Sequence, residues 1–221
     1  MFSASNLNRK LGAGSWLIAG FCGALVLAII TVVVKGTSAH ATVIALQVTG
    51  RWSFILFWPA YAGSAFGLIF EGSPRFLTER GREFGLAYAA AHLVHVVLVV
   101  WLYHVSNKPP VPQSTLWFFS VGIAWTYLLA LFSIRRLRNM LNSKLWQILR
   151  LTALNYIAAA FLIDFVVGPL IGNIQYQGIR RILGYLPFGV LAIAGPILRI
   201  TAAALRLRRN LSETRAIGTA Q

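Results

Sequence analysis

Four ionisable side chains stand inside long apolar stretches of this chain: His92, His95, Arg150 and Asp164. Such groups are costly in an apolar setting and usually face a protein interior, where they bind or relay something. His92 and His95 are three residues apart, about 60° round a helix, so they share a face. A neutral imidazole there can give a nitrogen lone pair to a metal ion or join a hydrogen-bond network. Two ligands on one face cannot grip a flat macrocycle from both sides, so a second helix has to supply the opposite ligand. His104 follows His95 by nine residues and points about 180° away. Arg150 and Asp164 are 14 apart, which places them within about 40° of each other and roughly 21 Å apart along a helix.

Each of these residues has a plainer reading beside the chemical one. His95 is either a ligand or a packing residue, and His92 is its hydrogen-bonded neighbour or a substitute ligand. His104 and His40 read as residues of the outer interface. Arg150 and Arg199 read as side chains that snorkel to headgroups. Asp164 either takes part in function or makes a structural pair, for instance with His104. Cys22, the only cysteine, reads as an inert buried thiol and excludes an internal disulfide or a cysteine-based cluster within one chain. No residue is assigned a catalytic role.

The elements that must position these groups follow from composition. The chain has 221 residues, 57% of them apolar and 11% charged, where soluble domains run at about 45–50% and 25%. Apolar runs fall at roughly 15–34, 51–70, 84–104, 115–134, 146–168 and 182–204. At about 1.5 Å per residue, each crosses some 30 Å of hydrocarbon. Helices keep every backbone polar group satisfied in lipid, so the expected fold is an all-α bundle of six transmembrane helices. The domain expectation is a short tail over 1–14, the bundle over 15–205 and a second tail over 206–221. The run from Trp16 to Val34 is 19 residues long. A signal-peptide core is about 7–15, so the first span is read as retained despite the cleavage-like Ala39-His40-Ala41.

The net charge of +15 is an orientation signal. Lys and Arg number 2, 1, 3, 1, 4, 2 and 4 in the successive segments outside the spans, from N-terminal tail to C-terminal tail. The alternation places both termini in the cytoplasm, the Lys/Arg-rich side of a membrane protein. The basic residues are explained by the bilayer, and nucleic acid is not an expected partner. Pro109, Pro110 and Pro112 mark a sharp exit from the third span. No repeat, phosphate-binding loop or nucleophile elbow is present. A small transporter using Asp164 and the histidines as a proton relay is one further reading, without the paired half-helices that would support it.

Three stretches carry a family likeness. Thr49-Gly50-Arg51-Trp52 resembles a Thr-Gly motif opening a second span. Arg82-Glu83-Phe84-Gly85-Leu86, with His95 ten residues after Gly85, resembles the start of a third span and its haem ligand. The basic stretch from Arg135 to Trp146 resembles the approach to a fifth span. Together, over roughly residues 45–170, they resemble the ferric-reductase-like transmembrane family. The resemblance implies haem b held by histidines of the third and fifth spans, and electron transfer across a bacterial inner membrane. The donor or acceptor would be a separate protein or quinone. It implies His95 as the iron ligand, with His92 close enough to substitute. The family's fifth span carries a histidine about four residues after the tryptophan and another about 13 to 14 later. Here Arg150 and Asp164 stand at those places. A guanidinium is always protonated and cannot ligate iron, so Arg150 is expected to hold a haem propionate instead. The same departure supports the alternative expectation, a haem-less member that serves as a non-catalytic partner or assembly subunit.

Overall fold

A computed structural model of the chain describes residues 4–106, 109, 111–133, 137, 142–171 and 179–218; the side chains of 4–11, 170–171, 179–182 and 213–218 lie outside that description. The long helices are α1 (Ala4–Lys35), α2 (Ala39–Ile69), α4 (Gly81–Val105), α5 (Gln113–Phe132), α6 (Ser143–Leu162) and α7 (Ile179–Gly218), with a short α3 (Arg75–Glu79) between α2 and α4. Among the described residues, six segments are long and apolar enough to span a membrane. Among the described residues there is no strand. The surface is apolar in the way lipid requires, with Ile18, Val33, Val100, Trp117 and Ile200 all exposed.

Helix α2 corrects one expectation. It begins at Ala39, twelve residues before Arg51, so Thr49-Gly50-Arg51-Trp52 lies inside the helix rather than at its opening. Two local features set the earlier start. Gly36 turns the chain with a φ of +84°, and the Ser38 hydroxyl accepts a hydrogen bond from the Ala41 N–H at 3.3 Å, capping the first turn. The Ala39-His40-Ala41 stretch forms that turn. Helix α7 continues to Gly218 through a run of Ala, Leu and Arg, which are strong helix formers, so the expected C-terminal tail begins as helix.

Helix α2 is the hub. It packs on α4, α1 and α7, while α5 pairs with α6 and touches α4 only lightly. The α1–α2–α4 unit is sealed by small residues, including Ala24, Ala45, Ala62, Ala87 and Ala91. In a membrane such residues let backbones approach and gain dispersion contact. A Cβ on Gly20 would collide with the Ala87 backbone, and one on Gly63 with the Leu77 carbonyl. Trp52 adds a hydrogen bond from Nε1 to the Gly20 carbonyl at 3.2 Å.

Beyond Leu162 the α6 helix widens into a π-helical segment, Ile163–Ile171. Pro169 lies within it and has no N–H to give. The basic connection holding Arg135, Arg136 and Arg138 lies outside the described residues, as do the side chains of Arg180 and Arg181.

Candidate functional site

Helix α4 carries the two histidines near its middle, and both turn into the bundle. Their rings stack, with centroids 5.4 Å apart and planes 12° from parallel. Tyr88, four residues before His92, continues the stack at 5.4 Å. This is the geometry of positions i, i+4 and i+7 on one helical face. The shared face read from the spacing is therefore present. What it faces is new.

His95 turns toward α2. Its Nδ1 lies 3.1 Å from the Thr49 hydroxyl. That hydroxyl gives its own proton to the Ala45 carbonyl at 2.9 Å, so it accepts from His95 Nδ1–H, and Nε2 is left with the lone pair. Gly50 borders the same ring, and a Cβ there would stand in ordinary contact with it at 3.5 Å. His92 is held by stacking alone: its Nδ1 is buried with no hydrogen-bond partner. Tyr88 donates to Thr126 Oγ1 of α5 at 3.1 Å, since Thr126 gives its proton to the Gly122 carbonyl.

Between α4 and α6, where a macrocycle shared by the third and fifth spans would lie, the structure places rings. Phe57 of α2 sits 5.2 Å from Tyr88 and 5.3 Å from Phe161 of α6, and Tyr88 meets Phe161 at 6.0 Å. Phe165 stacks on Phe161 and contacts Phe54 at 5.0 Å. The cleft that remains, lined by Gly85, Tyr88, Trp146, Arg150 and Leu154 among others, has a volume of about 160 Å³, below the ~300–1,000 Å³ of ordinary ligand pockets. The residues present therefore do not fit haem b in the way the resemblance implies. His92 and His95 are parallel on one helix, and the facing helix offers rings and a guanidinium. Among the described residues no cluster of three or more His, Cys, Asp or Glu side chains could hold a metal ion.

The other candidates lie apart. Arg150 is near the start of α6 and lines the cleft just described together with a second one against α7. Asp164 lies in the first turn of the π-helical segment. Arg51 lies over Tyr185, 4.6 Å from the ring centroid, and 5.6 Å from that of Phe188. The early start of α2 places Arg51, like Thr49, well inside the helix. His104 is exposed beside Trp101, and His40 is exposed in the first turn of α2. Both lie far along their helices from the His92–His95 pair, and the structure brings neither to it. Cys22 is exposed on α1 rather than buried, because its side chain lies on the outward face of that helix.

Thr49, Tyr88 and Arg51 escaped the sequence reading as members of these groups. Tyr88 was legible as the third member of an i, i+4, i+7 series. Thr49 and Arg51 were not, because their partners lie on other helices. Comparison with family models, with curated proteins and with solved structures finds no match.

Proposed function

We propose that this chain is a six-span membrane subunit of ferric-reductase-like architecture that works without the family's transmembrane haem, as a non-catalytic partner or assembly subunit. It would sit in a bacterial inner membrane with both termini in the cytoplasm. The observation that carries the reading is the ring packing between α4 and α6. Phe57, Tyr88 and Phe161 fill the space in mutual contact, and dense packing of this kind leaves a cofactor no volume without displacing side chains. Arg150 and Asp164 at the family's ligand places agree with it. The test is an absorption spectrum. Protein purified in detergent from haem-replete cells is expected to be colourless, and a reducible Soret band at one haem per chain overturns the proposal.

A second reading is favoured by one specific feature. His95 Nε2 keeps its lone pair, and His92 Nδ1 is buried without a partner, so a nitrogen ligand is available in mid-bundle. On this reading the chain is a b-type electron carrier with a single histidine ligand, serving a separate redox protein or quinone. A Soret band that disappears in His95→Ala establishes it.

A further inference from the structure

A different part of the molecule supports a binding site that does not depend on the haem question. Helices α2, α6 and α7 leave a cleft of about 430 Å³ between them, within the ~300–1,000 Å³ range of small-ligand sites. Its floor is made of small residues, with Ala65 of α2 and Ala202 and Ala203 of α7 in the lining. Its polar groups are Tyr61 and Ser64 of α2, Gln147 and Arg150 of α6, and Arg199 and Arg206 of α7. Arg199 and Arg206 are seven residues apart, about 20° round the helix, so both guanidiniums fall on one face. No acidic residue is among the described residues lining the cleft.

Arg199 is the deepest of the three. Its guanidinium lies over the Tyr61 ring, 4.5 Å from the centroid, and its Nη1 is buried with no hydrogen-bond partner. That nitrogen is closed off from the cleft, so the rest of the guanidinium is what is left to meet a ligand there. Tyr61 is fixed in turn, donating to Asn155 Oδ1 at 3.1 Å, and Gly195 lets its ring approach α7, since a Cβ there would stand only 3.2 Å from it. The stack therefore holds the guanidinium in place before any ligand arrives. Planar guanidinium forks match the oxygens of a phosphate group.

We propose that this cleft binds a phosphate group, presented by an anionic phospholipid headgroup or by a soluble phosphate. The lining supplies three cations and several neutral donors for a single anion, on helices whose apolar faces meet lipid immediately beside it. The ligand would tie α6 to α7 at the end of the bundle rich in arginine.

The experiment uses the full chain in detergent and reads its thermal unfolding midpoint. Phosphatidylglycerol, inorganic phosphate and a phosphate-free glycolipid with the same acyl chains are titrated in turn. Saturable stabilisation by phosphatidylglycerol but not by inorganic phosphate or the glycolipid assigns the site to a lipid. Saturation by inorganic phosphate assigns it to a soluble ligand. Arg206→Gln removes one charge-assisted contact and is expected to raise the half-saturating concentration about ten-fold. Arg206 is exposed, so this variant keeps the fold, and Arg199→Gln is expected to act in the same direction. Arg208→Gln, on the opposite face of the same helix and outside the cleft, is expected to leave it unchanged. No saturable effect from either phosphate probe, an equal effect from the glycolipid, or an equal loss in Arg208→Gln overturns the proposal.

Discussion

Single residues decide whether a histidine is a ligand or a piece of packing. Residue type and spacing place His92 and His95 on one face, but neither reveals which way the ring turns. Thr49 decides this for His95, by accepting from Nδ1 at 3.1 Å. The contact makes a measurable prediction. Thr49→Val keeps the side-chain shape and removes the acceptor, which should cost about 1 kcal/mol. Thr49→Val and His95→Phe should be non-additive, with a coupling of similar size, roughly 1 kcal/mol, in a double-mutant cycle. Thermal or denaturant unfolding in detergent measures both, and strict additivity would mean that the two side chains do not interact. At Arg150 the residue type alone is decisive, because a guanidinium has no lone pair to give iron wherever it points.

Among the elements, the closest approaches are made through glycine. Helix α1 meets α4 at Gly20 and Ala87, and α2 meets α3 at Gly63 and Leu77. Gly20→Ala and Gly63→Ala are each expected to destabilise the protein by about 1–3 kcal/mol, since backbone must move to admit the methyl group. Gly14→Ala, with nothing within 4 Å of the added Cβ, is expected to be neutral to slightly stabilising, since alanine is the better helix former. A comparison of thermal midpoints for the three variants checks the interfaces, and a loss in Gly14→Ala equal to the others would refute this account of them. The sequence located all six long helices, because hydropathy over some 20 residues is a strong signal. It misplaced the start of α2, because the Ser38 cap and the turn at Gly36 act over a few residues, and the apolar-run boundary was drawn at Arg51. It also could not reveal that α4 would pack chiefly on α1 and α2 and meet α6 through the rings of Tyr88 and Phe161, a matter of which small-residue seams fit each other.

For the whole molecule, the charge alternation makes a prediction about orientation. In a Cys22→Ala background, Ser212→Cys, on the basic final helix, should react with a membrane-impermeant thiol reagent only after the inner face is opened. Ser114→Cys, at the start of α5, should react in intact cells. Both sites are exposed, and the opposite labelling pattern would invert the topology inferred from Lys and Arg. The sequence alone determined the membrane class, the number of spans and the absence of histidine ligands on the fifth. These depend on composition and residue type, which survive any arrangement of the chain. Tertiary structure alone decided that Phe57, Tyr88 and Phe161 close the space between α4 and α6, that Arg51 lies over the Tyr185 ring, and that Arg150, Arg199 and Arg206 share one cleft. Residues so distant in the chain meet only when helices choose their neighbours, and that choice rests on the summed fit of many weak contacts rather than on a pattern within any one segment.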